Sequence, residues 1–352
     1  MRLNPRRKRY FFVIVLTCSV LVLFSLATEQ NWNCESPLCL GQSLLLPDFI
    51  TKIRDYLIGK PYKLEIICMV LDRTKSLKRL LDSLNEAVYD KDEILLSVWI
   101  DRNKAGMYDY KTYQAANTFI FKHGDYKVNI HKQHVGLYGQ WLKTYDFKDS
   151  YSKAAMVVFL EDDITVSPFF YKYLKIVHSK YDSQSDVNGY ALQGTTTKHA
   201  SGSSDDLQGP KGQPVFKYPT LGTWGFSPNM PNWEKFLIWY DEKSRNKSFH
   251  PYVPFHKSTE WYKAHEKENT ADRMWSIWHV YYAWLNKEYT IYSNFPNHQG
   301  LTTNWQEDGL HFTGAVGTMS NPLLTIWTFS YDMLPDKPVM LNNAGHIVKR
   351  TE

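Results

Sequence analysis

From residue 63 onward the chain alternates short apolar runs with amphipathic stretches, and that alternation restricts the fold more than any other feature. Residues 64–71 (LEIICMVL), 94–100 (ILLSVWI), 128–131 and 154–160 (AAMVVFL) read as strands. Between them, residues 74–88 set Leu77, Leu80, Leu81 and Leu84 on one helical face, 110–122 read as a second helix, and another runs from about 168 to 181. A strand that is apolar at every position has no solvated face, so it belongs in a sheet covered on both sides. Strands and helices in alternation specify a doubly wound α/β domain, its mostly parallel, Rossmann-like sheet flanked by helices. Ligands of such sheets bind beyond the carboxyl ends of the strands, which is where chemistry is sought.

Charge narrows the functional classes. The chain carries a formal net charge of +5, but five of its 41 Lys+Arg (Arg2, Arg6, Arg7, Lys8 and Arg9) lie within the first ten residues. The remaining 36 balance 36 Asp+Glu. No basic footprint is left for a nucleic acid. Residues 10–27 (YFFVIVLTCSVLVLFSLA) hold no charge and sit at the short end of what spans a bilayer as a helix. The basic flank keeps the N-terminus cytosolic and sends the remainder into the lumen. A cleaved signal peptide is the alternative, with Ser25 and Ala27 small enough for a cleavage site, but the run exceeds the usual apolar core of about 7–15 residues. The expected layout is a cytosolic tail (1–9), a signal-anchor transmembrane helix (10–27), a stem (28–62), the α/β domain (63–330) and a C-terminal tail (331–352).

In that oxidising compartment Cys34 and Cys39, which flank ESPL, can form a local disulfide. Their spacing lacks a second Cys or His pair, which argues against zinc. Asn246-Lys247-Ser248 is a glycosylation sequon in the polar setting DEKSRNKSFHPY. The C-terminal half is less regular. Residues 195–213, rich in Ser, Gly and Asp, form a long loop, either a mobile lid or a surface insertion. Residues 233–240 and 272–285 read as helices, the second bearing Trp275, Trp278, His279, Tyr282 and Trp284.

Glu161-Asp162-Asp163 follows the fourth apolar run. Three consecutive acids at the end of a buried strand repel one another and become tolerable around a divalent cation. Hard oxygen ligands suit Mn²⁺ or Mg²⁺. The plain alternative is a solvated turn capping the next helix. Asp72-Arg73 ends the first strand and Asp101-Arg102 the second, so Asp stands at three strand ends that face one crevice. Arg73 is suited to a phosphate, gripped bidentately, and Asp101 to a ribose or base. That convergence is what a nucleoside-diphosphate ligand requires.

The runs ICMVLDRTKSLKRLLDSL, SVWIDRN and VVFLEDDITVSPFFYKYL resemble the GT-A nucleotide-sugar transferases, most closely the N-acetylglucosaminyltransferase I-type enzymes. The resemblance covers residues 63–181 and, more loosely, 220–315. It implies that Asp163 ligates Mn²⁺ or Mg²⁺, that Asp162 lies by the ribose or the metal, and that Glu161 faces the nucleotide-sugar. Arg73 and Asp101 would bind the nucleotide, His311 in GLHFTG would complete the metal site, and Gly136 in GLYGQW would lie in a loop near the nucleotide. A metal-bridged diphosphate leaves as an acceptor hydroxyl attacks the anomeric carbon with inversion. Asp272 is the candidate base, with Glu260 in reserve. Trp224 and Trp275 are candidates to stack on sugar faces. The implied partners are a UDP-sugar donor, UDP-N-acetylglucosamine by resemblance, and a glycan or glycoprotein acceptor, at a Golgi or endoplasmic reticulum membrane. A nucleotidyltransferase is a rival reading, although LDRTKSLK lacks the glycines of a phosphate loop. A membrane-tethered carbohydrate-binding protein without turnover is the other.

Overall fold

A computed structural model describes residues 62–145, 154–195, 207–309 and 317–348. The first half runs β1 (Leu64–Val70), α1 (Thr74–Glu86), β2 (Ile94–Ile100), α2 (Tyr110–Asn117), β3 (Gly124–Ile130), α3 (Gly136–Lys143), β4 (Met156–Glu161), β5 (Ile164–Val166) and α4 (Phe170–Tyr181). The second half runs β6 (Val187–Ala191), β7 (Val215–Tyr218), β8 (Phe226–Pro228), α5 (Met230–Lys243), α6 (Lys257–Lys267), α7 (Ser276–Asn286), β9 (Tyr289–Ser293), β10 (Thr302–Asn304) and β11 (Val339–Met340). Nine strands form one sheet in the order β11-β7-β9-β6-β8-β4-β1-β2-β3, and β10 pairs with β5 in a two-stranded sheet.

The block β4-β1-β2-β3 is parallel throughout, as the apolar runs predict. Alternate residues of each central strand enter opposite cores. Leu64, Ile66, Cys68 and Val70 of β1 join Val158 and Leu160 of β4 beneath the leucines of α1 and the aromatic face of α4. Ile67, Met69, Val157 and Phe159 join Trp141, Trp233, Phe236, Trp275 and Trp278 on the other face. Two cores explain why the strands are mostly apolar on both faces, since each apolar side chain removed from water contributes about 1.5–3 kcal/mol whichever way it points. The polar exceptions Glu65 and Ser97 pair with each other, the Ser97 hydroxyl donating to Glu65 Oε1 at 2.9 Å. In α1, Leu77, Leu80, Leu81 and Leu84 repeat at three- and four-residue steps and are all buried.

Beyond β4 the sheet is mixed. β8 runs antiparallel to both β4 and β6, β7 runs antiparallel to β9, and β6–β9 and β11–β7 are parallel. The sheet is therefore mostly parallel and flanked by helices, with the antiparallel insertions confined to the C-terminal half. Other elements differ from expectation in definable ways. β3 begins at Gly124 rather than 128, because an edge strand half open to solvent has no unbroken apolar run to announce it. α6, not among the helices expected from the sequence, buries only Ser258, Thr259 and Tyr262 and so shows little apolar periodicity. The aromatic helix α7 starts at Ser276; a 3-10 turn at Ala271–Arg273 precedes it. Within the stretch expected as a tail (331–352), Val339–Met340 form the edge strand β11, and Pro335 O accepts from the Tyr181 hydroxyl at 2.7 Å.

Among the described residues no helix is long and apolar enough to cross a membrane. The apolar run 10–27, the stem through residue 61, Cys34 and Cys39 lie outside them. Cys68 is a buried free thiol in β1.

Candidate functional site

Strand register assembles the site. Val70 pairs with Ile100, Ile100 with Ile130, and Met69 with Glu161, so β1, β2, β3 and β4 end nearly level. Asp72-Arg73, Asp101-Arg102 and Glu161-Asp162-Asp163 therefore emerge along one edge of the parallel block.

Arg73, directly ahead of α1, turns its guanidinium onto the acids. Its Nε donates to Asp162 Oδ2 at 3.1 Å and its Nη2 to Asp162 Oδ1, while Nη1 stands 3.0 Å from Asp163 Oδ2. The fork geometry of an arginine suits such a bidentate grip, which a lysine could not reproduce. Arg73, expected on a diphosphate, is thus engaged with Asp162 and Asp163. Arg73 acts on all three carboxylates. Burial pushes the Glu161 carboxyl up to about 8, helped by the charge of Asp163, although the Trp141 indole N–H donates to Glu161 Oε1 at 2.9 Å and pulls the other way. Burial also raises Asp162 and Asp163, with Arg73 opposing it in both.

A strap that sequence reasoning did not single out closes this edge. β10 pairs antiparallel with β5, and the Trp305 amide donates to Asp163 O at 2.8 Å. Arg79 lies 4.3 Å from the centre of the Trp305 ring and pairs with Glu307 Oε1 at 2.8 Å. The Ser76 hydroxyl donates to Glu307, whose charge adds to the upward pressure on Asp162 and Asp163. Glu307 lies more than 140 residues beyond the triplet, and only the fold brings it near. His311 lies outside the described residues, two positions past Gly309, where an added Cβ would stand 3.3 Å from Arg73 Nη1.

Asp101 is buried and fully engaged within the chain. Its carboxylate accepts from the amides of Arg102 (2.7 Å), Val135 (2.9 Å) and Gly136 (2.8 Å), and His134 Nδ1 lies 3.2 Å from Oδ2. The side chain proposed for a ribose or base therefore clips the start of α3 to the end of β2. Gly136 holds φ +64, the left-handed region that glycine enters at no steric cost. Asp101→Ala strands three amides, and the expected loss is about 2–4 kcal/mol of stability. Denaturant unfolding of the variant beside the parent measures it, and a change below about 0.5 kcal/mol would contradict the assignment.

Of the candidate bases, Asp272 is exposed on the 3-10 turn at Ala271–Arg273. The Tyr138 hydroxyl holds that turn from α3, contacting Ala271 O at 3.2 Å and Met274 O at 3.1 Å. Trp275 follows, stacked 4.4 Å from Trp141, which donates to Glu161. The turn that carries Asp272 is thus linked to Glu161 through the buried Trp275–Trp141 stack, and no contact among the described residues joins Asp272 itself to the acids. Glu260 is exposed on α6, paired with Lys257 at 2.6 Å, and that pairing holds its carboxyl below the usual range. No contact among the described residues joins Glu260 to the triplet.

Trp275 is buried between Trp141 and Trp233, which makes it core rather than a sugar platform. Trp224 is half-buried beside the end of β4. Its amide donates to Gln193 Oε1 at 3.2 Å, its carbonyl accepts from the Thr302 hydroxyl, and the adjoining Gly225 packs against Leu160.

The donor set can be tested for a metal. Asp163 Oδ1 is buried without a hydrogen-bond partner, an arrangement that costs about 1–3 kcal/mol unless something binds there. Among the described residues no group of three His, Cys, Asp or Glu side chains is placed to hold a metal by itself. An ion at that oxygen would have to take its remaining ligands from outside these side chains, as Mg²⁺ and Mn²⁺ can from water and substrate phosphates.

No family model matches the sequence, and no curated protein does. Among solved structures the chain is similar to S. aureus TarS 1-349, at 16% identity and a TM-score of 0.38, over 67% of this chain and 61% of that one. It is also similar to S. aureus TarS 1-349 in complex with UDP, at 13% identity and a TM-score of 0.37 over 66% and 58%. The complex of S. aureus TarS 1-349 with UDP-GlcNAc gives 13% identity and a TM-score of 0.36 over 68% and 60%. The chain thus spans less than two thirds of these structures. Likeness this distant carries no residue roles across, and the function is argued from this chain's own geometry.

Proposed function

We propose that the chain is a GT-A-type glycosyltransferase that moves a sugar from a UDP-sugar to a glycan or glycoprotein acceptor with inversion, aided by Mn²⁺ or Mg²⁺. The observation that carries the reading is the acid triplet at the level ends of parallel strands, with Asp163 Oδ1 unpartnered beside Arg73. Asp163 would hold the metal, which when bound neutralises charge developing on the leaving diphosphate. Arg73, which grips Asp162 and Asp163, supplies a fixed positive charge at the same strand ends. Asp162, gripped by Arg73, lies toward the ribose. Glu161, held by Trp141, faces the donor sugar as a hydrogen-bonding group. Asp272, on the exposed 3-10 turn ahead of α7, takes the proton from the acceptor hydroxyl as the new glycosidic bond forms. The apolar run 10–27 and its basic flank support a signal-anchor with a luminal domain, in the Golgi or endoplasmic reticulum.

The test is a panel of nucleotide sugars incubated with the full chain in detergent, with Mn²⁺ or chelator. Release of nucleotide from one donor, lost with chelator, is the expected result and names the sugar. A well-folded chain that turns over no donor would leave a carbohydrate-binding module as the better reading.

A further inference from the structure

The chain contains one Asn-X-Ser/Thr sequon, Asn246-Lys247-Ser248, and all three residues are exposed. It lies just past the C-terminal end of α5, in a turn held from both sides. The Asn246 amide donates to Lys243 O at 3.0 Å, and the Phe249 amide donates back to Asn246 O at 3.0 Å. Phe249 anchors the turn in an aromatic cluster, with ring centres 5.8 Å from Trp239, 5.6 Å from Trp278 and 5.4 Å from Tyr281. Asn246 Oδ1 accepts from the Ser248 amide at 3.0 Å, while the side-chain nitrogen has no partner among the described residues. The carboxamide is thus oriented by its own sequon, with its nitrogen unused.

We propose that Asn246 is an N-glycosylation site, a reading that rests on the luminal placement proposed above. The co-reactant is a lipid-diphosphate-linked oligosaccharide. Asn246 Nδ2 attacks the anomeric carbon of its first sugar, the bond from that carbon to the phosphate oxygen breaks, and Nδ2 gives up one proton as the lipid diphosphate leaves. An N-linked glycan needs an exposed loop as its acceptor, and residues 246–248 are exposed in a turn. The glycan would stand on an exposed turn whose support comes from Phe249.

The test is expression of the full chain in cells with a secretory pathway, followed by digestion with an amide-cleaving glycosidase. One glycan-sized mobility step should collapse on digestion, be absent in Asn246→Gln and Ser248→Ala, and persist in Ser248→Thr. A second variant makes the outcome decisive. Asn342 Oδ1 accepts from the Ala344 amide at 3.0 Å in a comparable exposed turn, so Ala344→Thr supplies a control sequon. If the control acquires a glycan and Asn246 carries none, the site is overturned while the luminal placement stands. If neither is modified, the site and the placement fall together, and the donor panel still judges the transferase reading on its own.

Discussion

Arg73→Ala is expected to destabilise the fold by about 2–4 kcal/mol near pH 8 and by much less near pH 5. Removing one partner of a buried ion pair costs about 3–5 kcal/mol, because the other charge is left uncompensated. The Arg73 side chain is 26% exposed, so solvent trims that figure, but its partner Asp162 is 4% exposed. The pH dependence follows from sign. Glu161, Asp162 and Asp163 are all held above their ordinary values even with the guanidinium present. A carboxyl whose folded value is raised stabilises the fold fully below its unfolded value, and that contribution is lost as pH rises toward the folded one. Without Arg73 the three values climb further, so the penalty widens with pH from about 4 upward. Added Mn²⁺ should restore part of the loss at high pH by placing a cation among the acids. Thermal unfolding across pH, with and without metal, reads all of this. Equal destabilisation at both pH values would mean that Arg73 matters for packing and not for the acids.

Glu161→Gln should act in the opposite direction on stability and cost donor turnover. Glu161 titrates near 8 in the fold against an unfolded value near 4.5, so its contribution declines between those two limits. Glutamine stays neutral throughout and keeps Oε1 as an acceptor for the Trp141 N–H. The variant should match the parent near pH 4 and be more stable by roughly 1–3 kcal/mol near pH 9. If Glu161 faces the reacting sugar, turnover should fall by about 10²-fold or more. A gain in stability with full activity would make Glu161 a bystander, and a loss of stability at high pH would refute the burial argument.

The parallel block was legible because β1 and β4 lie between two cores and β2 packs into the first, which leaves room for few polar residues such as Glu65 and Ser97. The mixed half was not. β7 carries buried Lys217, paired with Asp186 at 2.7 Å, and β8 is only Phe226–Pro228, so neither shows a period. α6 escaped because its large apolar Trp261 is exposed and its buried face is mostly hydroxyls. At the site, position along the strand ends revealed the acids, Arg73 and Asp101, since parallel register makes ends meet. Partner choice was beyond a linear reading. Arg73 grips acids 89 residues away, and Asp101 serves amides 34 and 35 residues away. Glu307 joins the site through pairing of β10 with β5, and neither strand is long enough to show in the sequence.

The most direct test of the central claim is equilibrium binding of UDP to the full chain, with Mn²⁺ or chelator, beside Asp163→Asn. A donor site built on Asp163 predicts binding that requires the metal and weakens about tenfold or more in the variant, a difference of about 1.4 kcal/mol. UDP affinity that is absent under every metal, or indifferent to both chelator and the Asp163 substitution, would contradict it.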